Sequence, residues 1–308
     1  MENKLHASFS PHIKSSNSTM RTMLDVIIAL VPASIAAVIL FGIPALLVIA
    51  VCVISAVAGE ALFNLAVKKE QTVGDLSAVV TGLILALNLP SNIPLWQAAV
   101  GSLFAIIIVK GIFGGLGKNI VNPAIAARVF MLIAFGSMTA AVFPEGMDSV
   151  SGATPLSDLT NDKAVDLMDL FLGKCGGALG ETCALALLIG GIYLIVRKVI
   201  TWHIPVAFIG TTFLFTLALE GGNIETTLAW VLSGGLMIGA FFMATDYVTS
   251  PSTAKGKLIF GIGAGVITVL IRFFGGYPEG VSFAILLMNI VNPYIDSLTQ
   301  RKLFGGKK

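Results

Sequence analysis

Charge is what this 308-residue chain has least of: Asp, Glu, Lys and Arg together make up 12%, against 56% hydrophobic residues. A soluble domain carries about twice that share of charge. Too little is left to coat a water-facing surface, which excludes soluble enzymes, nucleic-acid binders and disordered chains together. Cysteine is nearly as scarce. Cys52, Cys175 and Cys183 show no C-x-x-C spacing, so neither a disulfide framework nor a zinc or iron–sulfur site is expected. Three scattered histidines form no H-E-x-x-H pair, no metal site is expected, and no Gly-x-Gly-x-x-Gly unit follows a strand. Alternation at period two, the mark of a transmembrane barrel, is missing as well.

What is present is apolar sequence in long segments. Ten can be read: Met20–Gly42, Ile43–Val67, Gly74–Pro90, Ile93–Phe113 and Val121–Phe143, then Ala178–Arg197, His203–Leu219, Thr226–Thr245, Leu258–Phe274 and Gly280–Leu298. Most approach the roughly 20 residues a helix needs to cross the hydrocarbon core. Backbone groups in lipid must be satisfied within the segment, so the expected fold is an all-α polytopic membrane protein. The polar stretch Met1–Thr19 has no apolar region of its own and reads as a retained tail.

With a cytoplasmic N-terminus, sixteen of the nineteen lysines and arginines fall inside and only Lys163, Lys174 and Arg272 fall towards the outside. The positive-inside rule then expects both termini in the cytoplasm and the loop 144–177 outside. The expected organisation is a tail 1–19, a first five-helix repeat 20–143, the outer loop 144–177, a second five-helix repeat 178–299 and a tail 300–308. Within the acidic loop, Ala164–Leu172 carries apolar residues near helical spacing and predicts a short interfacial helix.

The division into halves rests on a duplication. Asn119-Ile120-Val121-Asn122-Pro123 recurs unchanged as Asn289-Ile290-Val291-Asn292-Pro293, each copy preceded by Phe-Gly-Gly. Five being odd, two such halves must sit with opposite topology. Inverted repeats with Pro-interrupted segments in matching places point to a site near the bilayer midplane. The Asn-Pro copies read either as that site or as helix-breaking turns kept for packing. Asn119, Asn122, Asn289 and Asn292 are costly in lipid and should face the interior in both cases. Glu60, Arg128, Asp246 and Arg272 lie near or within spans and are functional candidates, although the two arginines could instead snorkel to an interface. Gly261, Gly263 and Gly265 read as close helix packing.

One string carries chemistry. Asp148-Ser149-Val150-Ser151-Gly152-Ala153-Thr154 matches Asp-x-x-Ser-Gly-Ala-Thr, the pattern at which a flavin transferase joins FMN to threonine through a phosphoester. Thr154 would supply the hydroxyl, Gly152 and Ala153 would leave the backbone open to the transferase, and Asp148 and Ser151 complete the recognition element. The plain alternative is a polar turn in an exposed loop.

With this motif, and with Ser10-Pro11-His12, Phe113–Pro123, Met243-Ala244-Thr245-Asp246 and Asn289–Asp296, the chain resembles over nearly its whole length the D subunits of the Rnf complex, an ion-pumping ferredoxin:NAD⁺ oxidoreductase of the bacterial cytoplasmic membrane. The B subunit of the sodium-pumping NADH:quinone oxidoreductase is similar but usually longer at its N-terminus. Tyr247 departs from the pattern, where proline is expected, and puts the local backbone there in question. The resemblance implies covalent FMN on Thr154, an electron relay completed only by other subunits, and transport of Na⁺ or H⁺. It also implies a non-covalent riboflavin, for which, as for an ion, Glu60, Asp246 and the two Asn-Pro segments are the places to look. A solute transporter or channel of urea-transporter-like fold is the alternative, since fold alone does not separate the two.

Overall fold

The computed structural model describes residues 18–136, 142–144, 154–161, 165–275 and 279–300, and all regular structure among them is helical. Asp148, Ser151, Gly152 and Ala153 lie outside the described residues, as do residues 1–17 and 301–308 of the two tails.

Helix α1 runs Thr19–Ala66, 48 residues. At about 1.5 Å per residue a straight helix of that length would reach roughly 70 Å, more than twice the hydrocarbon thickness. It is not straight: Gly42, at φ 67° and ψ −151°, leaves helical geometry and breaks it in two. Only glycine adopts that conformation without a steric penalty, and the break falls where the first two apolar segments were divided. Ser18 caps the start by accepting from the Arg21 amide at 3.3 Å.

The third segment folds as a short helix, α2 (Ser77–Leu87), ending at Asn88-Leu89-Pro90 because proline cannot continue it. Helix α3 (Leu95–Leu103) widens into a π-helical stretch over Phe104–Gly111. Helix α4 (Pro123–Ala134) starts at the first Asn-Pro, with Asn122 capping it. Two short helices follow, α5 (Pro155–Thr160) and α6 (Leu167–Leu172), the second within the segment expected to be helical. Then come α7 (Ala184–Val196), α8 (His203–Leu219), α9 (Ile224–Leu232) and α10 (Leu236–Ile238), which continues as a π-turn over Gly239–Met243. Helices α11 (Ala254–Phe274) and α12 (Val281–Thr299) complete the bundle.

Length and apolarity qualify α1, α11 and α12 to cross a bilayer, and α9 with α10 makes a fourth candidate bent by 66° at its break. The remaining apolar helices have 10–17 residues, short of a full span. Several apolar helices in one chain make it a multi-pass membrane protein.

Packing follows the glycines. A Cβ on Gly261 would lie 2.7 Å from the Ala207 Cβ, and one on Gly265 would lie 2.8 Å from the Thr211 Cβ, so α11 meets α8 through small residues. Closer still is Gly190 on α7, whose added Cβ would stand 2.1 Å from the Ala29 carbonyl oxygen of α1. Backbone has nowhere to move there. Gly190→Ala is expected to cost about 1–3 kcal/mol, read as earlier thermal unfolding in detergent; unchanged unfolding would contradict this contact.

The second Asn-Pro copy corrects one expectation. Pro293 lies inside α12 and the helix runs on through it, so only the first copy is a helix-starting turn. Identical pentapeptides take different backbone paths because different sequences feed them: a glycine loop before Asn119, eight helical residues before Asn289.

Candidate functional site

Polar groups in this apolar chain gather at the two ends of α2. Eleven residues separate those ends, about 16 Å of helix. At its N-terminal end the π-helical widening carries Lys110 into the protein, where it is 4% exposed. The ammonium donates to Glu60 Oε1 at 2.7 Å and to Ser77 Oγ at 2.6 Å. Glu60 and Asn64 share one face of α1, four residues apart. Thr72 donates to Glu60 Oε1 at 2.7 Å and accepts from Asn64 at 3.0 Å. Glu60 Oε2 is buried with no donor among the described residues, and the cluster borders a cleft of about 770 Å³ of unfilled space.

A second cleft is also bordered by Lys110. Asn119, Asn122 and Asp246 line it, with Phe241 and Phe242 as an apolar wall. Asn122 Oδ1 accepts from the amides of Ala124 and Ile125, at 3.0 and 3.4 Å, and so caps α4, while its Nδ2 donates to the Met243 carbonyl at 3.4 Å. Asp246 accepts from the Val248 amide and the Thr249 hydroxyl, both at 3.2 Å, so part of its charge is spent on its own turn. Tyr247, the departure from the family pattern, lines the same cleft and is half exposed. Oriented so that both ends of its amide pair, Asn289 donates to the Thr249 carbonyl at 3.2 Å and accepts from the Asn122 amide at 3.1 Å. The two copies of the repeat therefore touch. Asn292, one turn further along α12, is buried and its Oδ1 finds no donor among the described residues.

At the other end of α2 a different cluster forms. Arg128 on α4, 3% exposed, donates from Nη1 to Asn88 Oδ1 and from Nη2 to both Glu181 and Glu279. Its charge also complements the negative end of the α2 dipole. Arg272, also 3% exposed, donates to the carbonyls of Trp230 at 2.6 Å and Ser233 at 3.1 Å, the open C-terminal end of α9. Neither arginine snorkels. Both do what lipid otherwise forbids and neutralise buried polar groups.

Thr154 stands over this cluster. Glu181, Glu279, Ser233 and Gly234 line a small pocket together with it. The half-buried Thr154 is the N-cap of α5, its Oγ1 accepting from the Ser157 amide at 3.3 Å. That bond uses a lone pair and leaves the hydroxyl proton, so the oxygen remains chemically available. Cys175 also lines the pocket. Burial and the neighbouring carboxylates of Glu181 and Asp169 lift its thiol to about 12, so at pH 8 it is neutral and should alkylate far more slowly with maleimide than a free thiol. Rapid labelling in the folded protein would contradict this burial.

The expected site residues thus divide. Asn119, Asn122 and Asp246 come together around one cleft, Asn289 reaches it through Asn122, and Asn292 adds a buried amide nearby. Glu60 stands apart, across Lys110, in the adjoining cleft. Thr154 belongs to neither and sits with Glu181 and Glu279. Sequence reasoning missed Lys110, Asn88, Glu181 and Glu279. Lys110 reads as one more loop-flanking positive charge, and only its position inside an apolar run hinted otherwise.

Residues 6–305 match the family described as NQR2, RnfD, RnfE. The chain is 49% identical to the D subunit of the Na⁺-translocating ferredoxin:NAD⁺ oxidoreductase complex of Acetobacterium woodii, over all of this chain and 97% of that protein. It is 43% identical to the proton-translocating counterpart of Clostridium ljungdahlii, over 98% of this chain and 96% of that one. With the D subunit of the ion-translocating oxidoreductase complex of Escherichia coli K12 it shares 37% identity, over 97% and 98%. A match across 300 of 308 residues leaves no part of the bundle outside it, and the chain belongs to the NQR2, RnfD, RnfE family.

Proposed function

We propose that this chain is the D subunit of an Rnf-type ion-translocating ferredoxin:NAD⁺ oxidoreductase complex and carries FMN esterified to Thr154. The relatives' names supply the complex. The observation that carries the flavin reading is Thr154 itself, the last residue of an Asp-x-x-Ser-Gly-Ala-Thr string, lining a small pocket together with Glu181 and Glu279. The residues fit attachment: the hydroxyl is half-buried but not enclosed, and α5 holds its oxygen in place through the Ser157 amide. Bound there, FMN would supply one- and two-electron transfer. The chain's own part is to fix the tether, to present Glu181 and Glu279 beneath it, and to bury their charge against Arg128.

The protein works within a complex, as the names of its relatives indicate. A second, non-covalent riboflavin belongs in the cleft between Asn119, Asn122 and Asp246, whose apolar wall and few polar groups suit a planar ring system. Glu60 and the Asn289–Asn292 face of α12 are the nearby groups for Na⁺ or H⁺. The ten segments are spans in two inverted five-helix repeats in the bacterial cytoplasmic membrane. Both termini and Lys110 then lie on the cytoplasmic side and Thr154 on the outer side, as the distribution of lysine and arginine supports.

Intact-mass measurement on the protein made together with a flavin transferase tests the reading. One FMN adduct and a flavin band that survives denaturing electrophoresis are expected. A colourless protein of unmodified mass would overturn it and favour an inverted-repeat transporter.

A further inference from the structure

The Asn119 cleft and the cluster at the C-terminal end of α2 are joined by a line of contacts. Starting at the cleft, Asn122 bonds the Met243 carbonyl. The Met243 sulfur lies 3.7 Å from Asn88 Nδ2. Asn88 then accepts from Arg128, and Arg128 holds Glu181 and Glu279, which line the pocket under Thr154. A polar seam therefore crosses an otherwise apolar core, from the Asn119 cleft to the Thr154 pocket.

Its two walls come from opposite halves of the chain. Asn88, Asn122 and Arg128 precede the Thr154 loop; Glu181, Met243 and Glu279 follow it. At the cleft end of the seam Asn119 Oδ1 is more than nine-tenths buried and finds no donor among the described residues, as does Asn292 Oδ1 on α12, one turn beyond Asn289. Oxygens short of donors in a low-dielectric interior attract cations. One fixed cation closes the row: the Arg128 guanidinium, held by three side chains at its far end. The broken helix makes room for it, since a Cβ on Gly235 would lie 3.1 Å from Arg128 Nη1 and 3.0 Å from Glu181 Oε1.

We propose that the Arg128–Glu181–Glu279 clasp is the Thr154-side closure of a monovalent-cation path along this seam, with Arg128 as a tethered cation filling the place a free one would cross. This rests on the ion-translocating reading above and adds to it a route and a closing residue. A fixed positive charge in a narrow polar passage repels cations electrostatically. Two carboxylates bonded to one nitrogen hold that charge in register, and removing it leaves their oxygens facing the seam. Leakage follows from loss of the charge, and tightness from its return.

The test uses the assembled complex in sealed proteoliposomes with no electron donor. Passive ²²Na⁺ influx and proton influx, the latter followed with an internal pH dye, are measured separately, so that the two arms tell which cation passes. Arg128→Ala and Arg128→Gln are expected to raise one of these fluxes about tenfold or more, the factor a barrier lowered by about 1.4 kcal/mol produces. Arg128→Lys should restore tightness, and Asn122→Leu added to Arg128→Gln should block the leak at its inner end. Where alanine prevents assembly, glutamine, a polar side chain without the charge, decides. Assembled charge-removing variants as tight as the parent would overturn the proposal. So would a leak that Asn122→Leu leaves untouched, since that is a damaged protein rather than a path. Flavin fluorescence on the same samples reports the proposed function independently: a leak from a dark protein removes only the flavin reading, and tight vesicles with bright protein remove only the seam.

Discussion

Replacing Thr154 by valine is expected to abolish both the FMN mass and the fluorescent band, leaving a folded protein behind. Valine has nearly the shape of threonine and lacks only the hydroxyl. The structural cost is the cap on α5, where Oγ1 accepts from the Ser157 amide at 3.3 Å, and losing such a cap costs about 1 kcal/mol. That is small beside the stability of a bundle this size. The chemical cost is total, because the motif directs the ester to that one hydroxyl. Thr154→Ser keeps the oxygen and the cap and should retain at least part of the flavin. A valine variant still carrying covalent flavin would move the attachment elsewhere and detach Thr154 from its pocket's function.

The second large effect concerns stability at the opposite end of α2. Lys110→Met removes the positive partner of Glu60 and leaves a carboxylate 5% exposed. Its Oε2 already lacks a donor, and Oε1 keeps only the Thr72 hydroxyl. Breaking a buried ion pair from one side costs about 3–5 kcal/mol, because the stranded charge must be desolvated without compensation. The double variant Glu60→Gln/Lys110→Met strands no charge and should recover most of the loss. The four midpoints of thermal unfolding in detergent make a double-mutant cycle. Additive losses, with the double variant the least stable, would show that the two groups do not act as a pair.

How much of this was legible in the sequence differs from element to element. The break at Gly42, the end of α2 before Pro90 and the short helix α6 all depend on residues near one another in the chain. Each follows from local rules of backbone geometry and apolar pattern. The repeat was legible as letters but not as conformation, since Asn122 caps a helix while Asn292 lies within one. The depth of the two arginines was not legible either. From the pattern alone, Arg128 and Arg272 were equally able to reach an interface or to turn inward.

The sequence by itself determined that this chain is helical and apolar and that it carries an Asp-x-x-Ser-Gly-Ala-Thr string ending at Thr154. Lipid leaves the backbone no partner but itself, and a short motif is read along a single stretch of chain. Tertiary structure alone decided which charges share an environment. Arg128 meets Glu279 across 151 positions and Lys110 meets Glu60 across 50. Ion pairing falls off with distance in space and is indifferent to distance along the chain. Which groups close a seam therefore became visible only once the helices were packed.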